Sequence, residues 1–186
     1  MSTNMLGCKD KWKCELEVNR HLTERVAVYS IWEWELFRKG KLIWESGPKS
    51  NRVVTEGLNH LLDVGFHGTA ATGTWYICPF NTDYTVQAAD VYATPGYIES
   101  EDYTEGTRQA FVETAAVSGS LNNNANKAVF SIDATTTLYG GALVSVSTKG
   151  DTGAGVLYCA SNFGEGKSVE SGDTFKIELT LSLTNL

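Results

Sequence analysis

Residues 175–183 read FKIELTLSL, and every second residue is apolar: Phe175, Ile177, Leu179, Leu181 and Leu183, with Lys176, Glu178, Thr180 and Ser182 between them. A period of two puts the apolar set on one face of an extended chain, the pattern of a half-buried strand. Residues 26–37, VAVYSIWEWELF, repeat it with Val26, Val28, Trp32, Trp34 and Leu36 aligned, and Arg38-Lys39-Gly40-Lys41 forms a hairpin tip into LIWES. KWKCELEV, TWYIC, RQAFVE, KAVFSI, LYGGALVSV and VLYCASNF read as further strands between turns rich in Gly, Asn and Asp. SGSLNNNANK reads as a hairpin connection, because Asn and Gly tolerate positive φ.

One segment departs from the period of two. In VVTEGLNHLLDVGFHG, Leu58, Leu61, Leu62 and Phe66 recur at helical spacing, Thr55 is placed to cap the start, and Gly68 to close the end. The spacing predicts an amphipathic helix near residues 55–66, packed on a sheet through those leucines. Many short strands with a single helix predict an all-β fold, mainly an antiparallel β-sandwich or jelly-roll-like, with one short amphipathic helix. Residues 1–50 are richer in charge and tryptophan than the rest. They read as an N-terminal strand or hairpin region, a separate layer or docking arm, with the main β-domain at residues 51–186 and the boundary at Asn51.

Composition narrows the function. The net charge is −7, from 15 basic and 22 acidic residues, and the densest basic run is the hairpin tip at Arg38 to Lys41. An acidic surface repels phosphate backbones and anionic lipid, so neither nucleic acid nor membrane is expected as a partner. No apolar run approaches the ~20 residues of a membrane span, and the N-terminal MSTNMLGCKDK carries no signal-peptide core. Cys8, Cys14, Cys78 and Cys159 show no CxxC spacing; Cys78 and Cys159 sit in apolar strands and are expected as buried thiols.

The chemical motifs fail one by one. SNFGEGKS, residues 161–168, ends like a phosphate-binding loop, but Ser161 stands where the first glycine belongs and a turn and strand follow instead of a helix. GEGKS is therefore expected as a hairpin turn. His21, His60 and His67 are scattered, and Asp63 with His67 at i, i+4 supplies only two ligands. No GxSxG elbow is present, and the carboxylate pairs Glu33/Glu35 and Glu99 with Glu101 and Asp102 read as solvated faces and loops. No catalytic, metal or cofactor-binding residue is expected. The tryptophans Trp12, Trp32, Trp34 and Trp44 are the candidate interface residues: an aromatic core, a sugar-stacking platform, or anchors for a protein partner.

From Asn51 onward the chain carries, in order, Val54-Thr55 with Gly57, Leu61-Leu62-Asp63, Trp75-Tyr76-Ile77, Tyr103, Thr107-Arg108-Gln109-Ala110 and Lys127-Ala128 with Phe130. Ser147-Thr148-Lys149-Gly150, Ser168-Val169 and Gly172-Asp173-Thr174 follow, before the final alternating strand. This series resembles a family of small virion-associated structural proteins of tailed, especially short-tailed, bacteriophages. Cys78-Pro79 departs from it, since the family has a glycine after its Trp-Tyr pair. The resemblance implies a virion structural protein without catalytic residues, of the capsid cement or decoration type. It would be made in the bacterial host cytoplasm and bound outside the mature shell, with the major capsid protein and further copies of itself, as a homotrimer, for partners. The alternatives are a carbohydrate- or receptor-binding module of a tail or head fibre, which expects Trp32, Trp34 or Trp44 exposed in a groove, and a tail or connector component.

Overall fold

The computed structural model describes residues 26–185. Its spine is the pairing of two long strands, β1 (Val26–Arg38) and β11 (Thr174–Asn185), antiparallel from Val26 opposite Asn185 to Phe37 opposite Thr174. The alternation behaves as its period dictates: Trp32, Trp34 and Leu36 of one strand and Phe175, Ile177 and Leu179 of the other are buried, and Glu33 and Lys176 between them are not. β2 (Lys41–Glu45) and β3 (Lys49–Ser50) pair with β1; β7 (Ser120–Asn122) and β8 (Ala128–Ser131) pair with β11, which completes the first sheet. The second sheet runs β4 (Arg52–Val53), β10 (Leu157–Val169), β9 (Thr136–Val144), β5 (Tyr76–Phe80) and β6 (Gln109–Ala110). All pairs are antiparallel, and the two sheets face each other over one apolar core. This is the sandwich that the strand pattern predicts, with one α-helix among the described residues, α1 (Thr55–Phe66), on its flank.

The register shows where local reading ends. Residues 26–50 are not a separate layer: β1 is a central strand of the first sheet, so the expected boundary at Asn51 divides strands of one sandwich. Asn51 itself ties the layers, its N–H bonded to the Ser30 carbonyl at 3.2 Å and its side-chain oxygen to the Ser30 hydroxyl. The remainder of the expected arm, including KWKCELEV with Trp12, lies outside the described residues.

GEGKS is not a hairpin turn either. β10 continues through it to Val169, and only Tyr139 lies between the β9 residues paired with Asn162 and Lys167, so residues 163–166 form a wide bulge, with Gly164 at φ +102°. The bulge drives Phe163 into the core, and the reversal comes later, at Glu170–Gly172. The asparagine tract is a hairpin only at its start, where Ser118 and Gly119 hold φ 53° and 75° and Val117 pairs with Ser120. β7 and β8 then follow successive parts of β11 in one direction, separated by a 3-10 turn at Asn124–Asn126. Across that gap the buried Asn123 side chain replaces the missing ladder, accepting from Leu179 N at 2.7 Å and donating to the Ile177 carbonyl at 3.2 Å.

The helix is present with the predicted bounds but docks differently. The N-cap is Val54, which has no capping group; the first helical N–H, Thr55, bonds instead to the Ala88 carbonyl, and Val54 N to the Tyr158 carbonyl. Gly57 is the one fully buried helix residue, pressed so close that a Cβ there would lie 2.4 Å from the Tyr158 carbonyl oxygen. Contact through the first turn lets the second half of the helix project. Leu62 is therefore 57 % and Phe66 88 % exposed, against the expectation that both pack on the sheet. Gly68, at φ +76°, closes the end as predicted, with Thr69 N returning to the Asp63 carbonyl.

Residues 81–108 form a layer of their own over the outer face of the second sheet, burying Val86, Tyr92 and Tyr97 against Cys78, Phe80 and Ala142. This third layer follows no period that sequence could reveal.

Candidate functional site

The outer layer is held by Arg108, which the structure buries to 3 % exposure. Its Nε and one terminal nitrogen reach the two Glu99 carboxylate oxygens at 2.9 and 2.6 Å; the Tyr92 hydroxyl and the Val146 and Asp151 carbonyls take its other N–H groups. Glu99, read from sequence as a solvated carboxylate, is thus a buried partner, and also accepts from Gly150 N at 3.0 Å. Burial works against the Arg108 charge, but its hydrogen bonds to Glu99 and Tyr92 outweigh that and raise its pKa. With all five donors engaged, the guanidinium has none left for a substrate anion, and its role is to staple two loops.

The tryptophans settle into packing. Trp32 and Trp34 are fully buried, their rings stacked at 5.8 Å between centroids, and Phe163 meets Trp34 edge-on at 5.1 Å. Trp44 is half-buried against Phe163, with the Lys167 ammonium 5.2 Å from its ring centre. Neither Trp32 nor Trp34 presents a face to a sugar; Trp12 lies outside the described residues. Cys78 and Cys159 are buried free thiols, and burial pushes Cys159 up to about 12. Among the described residues no three His, Cys, Asp or Glu side chains converge as metal ligands; Asp63 and His67 are both exposed, and His21 is outside them. No helix among the described residues is long and apolar enough to cross a membrane.

The feature that sequence missed lies at the far end of the β1–β11 pair. Along β11 the inward face runs from buried Leu179 through half-buried Leu181 to Leu183, 45 % exposed. The sheets part here and leave an apolar cleft of about 360 Å³. Leu181 and Leu183 form one wall, Leu143 and Tyr158 the other, and Leu61 and Val64 of α1 the rim. Inside, the His60, Trp75 and Tyr158 rings meet edge to face at 5.4 and 5.5 Å, and His60 Nε2 lies 3.0 Å from the Thr72 hydroxyl. Burial pushes the Tyr158 hydroxyl up to about 12, out of reach of acid–base work near neutrality. The chemistry of the cleft is apolar contact. Its signal in the sequence was the run of alternation in FKIELTLSL beyond the point where the other sheet could cover it.

No known family model matches the chain, and no curated protein is detectably similar to it in sequence.

Proposed function

We propose that this protein is a virion structural protein of a tailed bacteriophage, a cement or decoration protein that docks on the outside of the mature shell. The observation that carries the reading is the helix face bearing Leu62 and Phe66, two large apolar side chains held in solvent on a helix seated rigidly by Gly57. Isolated exposed apolar residues are ordinary, but an i, i+4 pair on one helix is a shape that a partner's groove can take. The series of residues resembling virion-associated proteins supports the same reading, and so does the acidic charge, which keeps free copies apart before they dock. Repetition over a symmetric shell turns a modest contact per copy into large particle stability. The major capsid protein is the proposed partner, with the copies assembling as a trimer. The fibre-module reading loses Trp32 and Trp34 as a platform, because both are enclosed, and keeps only the half-buried Trp44.

The test is co-sedimentation with expanded capsids that lack the protein, followed by heating. Stoichiometric binding and a higher disruption temperature are expected. Leu62→Ala with Phe66→Ala, at positions that do not support the core, should weaken binding at least ~10-fold, since each truncation removes about 1.5–3 kcal/mol of apolar burial at an interface. Absence of binding by the parent protein would overturn the proposal and direct the search to the tail and to glycans.

A further inference from the structure

Residues 26–186 hold ten basic side chains, and six of them are engaged within the fold. Arg38, Arg108, Lys127 and Lys167 form ion pairs, and the Lys149 and Lys176 ammonium groups lie over the Tyr103 and Phe37 rings. The other four, Lys39, Lys41, Lys49 and Arg52, are exposed and have no ion-pair partner among the described residues. All four fall on one side of the sandwich. Lys39 is in the turn between β1 and β2; Lys41 is on β2 and Lys49 on β3, which border the first sheet, and Arg52 is on β4, which borders the second. Glu45 is the one carboxylate on these three edge strands.

The opposite side carries the reverse charge. There β8 borders the first sheet, and its end is met by the chain at Tyr103–Thr104: Tyr103 bridges Ile132, and Thr104 N bonds the Ser131 carbonyl at 2.9 Å. Glu101, Asp102 and Glu105 flank this contact, and Asp133 follows it, its N–H on the Asp102 carbonyl at 3.3 Å. Glu105 is tied to Ser131 N, which leaves Glu101 and Asp133, both exposed, as the foremost charges of this edge. The nearby cations are turned inward, Lys149 onto the Glu101 and Tyr103 carbonyls and Lys127 between Glu35 and Glu178.

We infer that copies of this chain meet side to side, the edge bearing Lys41, Lys49 and Arg52 of one against the edge bearing Glu101 and Asp133 of the next. A contact between two different edges is heterologous, so it builds a ring or a row and not a two-fold pair. The net charge of −7 repels copies at a distance. At 0.1 M salt that repulsion is screened beyond ~10 Å, whereas ion pairs in contact persist. Exposed pairs are individually weak, so dilute copies stay apart and crowded copies join. The inference names the surfaces by which copies associate and rests on that part of the proposed function alone.

The test mixes equal amounts of the full-length protein with natural and with heavy nitrogen, at high concentration, and treats the mixture with a carbodiimide. That reagent joins a lysine to a carboxylate only when the two touch, and peptides of mixed isotope identify links between copies. Mixed links are expected from Lys39, Lys41 and Lys49 to the carboxylates at 101, 102 and 133, at least ~10 times more often than to other carboxylates. They should fade at 1 M salt, where screening reaches ~3 Å, while the Lys127–Glu35 link within one copy remains as the internal reference for a folded chain. Glu101→Lys with Asp133→Lys should remove the mixed links. Mixing that variant with Lys41→Glu, Lys49→Glu chains should restore them, running from its lysines 41 and 49 to the acidic edge of the other. Absence of mixed links in the parent, links spread evenly over the carboxylates, links that survive 1 M salt, or failure of the charge-reversed mixture to restore them would each overturn the inference. Charges that merely guard open strand edges would give the first of these results. No capsid enters the experiment, so its failure leaves the docking test untouched.

Discussion

Gly57 and Gly65 belong to the same helix, and replacing each with alanine should move stability in opposite directions. Gly65 has open space around its would-be Cβ and is exposed, so Gly65→Ala only reduces the freedom of the unfolded chain. A gain of about 0.5–1 kcal/mol is expected. At Gly57 the added Cβ would meet backbone: the Tyr158 carbonyl oxygen at 2.4 Å, its Cα at 2.7 Å and its carbonyl carbon at 2.9 Å. Ordinary carbon contacts lie near ~3.5 Å, so the helix must retreat by about 1 Å. That retreat stretches the 3.2 Å bond from Val54 N to the same Tyr158 oxygen. It also pulls on Glu56, whose Oε2 accepts from Tyr92 N at 2.8 Å and Leu157 N at 2.7 Å. Overpacking costs about 1–3 kcal/mol against a propensity gain of about 1 kcal/mol, and the clash here is with backbone that cannot swing aside, so Gly57→Ala should be net destabilising by up to about 2 kcal/mol. In a domain of this size each kcal/mol moves Tm by about 2–4 °C. Thermal unfolding followed by near-ultraviolet circular dichroism should place the Gly65 variant above the parent and the Gly57 variant below it. Equal stabilisation by the two would refute the idea that Gly57 seats the helix by close approach.

Two further substitutions test the other fastenings. Arg108→Ala strands the buried Glu99 carboxylate and should cost about 3–5 kcal/mol in urea unfolding; a loss under ~1 kcal/mol would mean that the outer layer does not depend on the staple. Asp173 accepts two bonds from Arg38, at 2.9 and 2.8 Å, and the Arg38 guanidinium holds its carboxyl below the usual range. The unfolded chain therefore takes up that proton first. The contribution is present in full above the ordinary carboxylate pKa of about 4 and is lost as pH falls through the lower folded value. Asp173→Asn should flatten this acid limb of the stability–pH curve, and an unchanged limb would place the acid sensitivity elsewhere.

The strands were legible because their signal is local. Trp32, Trp34 and Leu36, or Phe175, Ile177 and Leu179, declare a buried face by alternation alone, and Lys39-Gly40, at φ 52° and 74°, declares the turn. The position and length of α1 were legible for the same reason. What no short window contains is the partner across space. Glu99 and Arg108 look like surface charges until the fold buries both; Gly57 looks like a weakness in a helix until Tyr158 lies beneath it. Leu62 and Phe66 share the helical period of Leu58 and Leu61, yet the angle at which the helix leaves the sheet decides that they stay in solvent. Leu181 and Leu183 continue a perfect alternation into a region where the second sheet has turned away. Sequence by itself determined which faces are apolar, since that depends on side-chain chemistry and backbone period. Only the tertiary structure decided which of those faces find cover, since that depends on the distance between elements far apart in the chain.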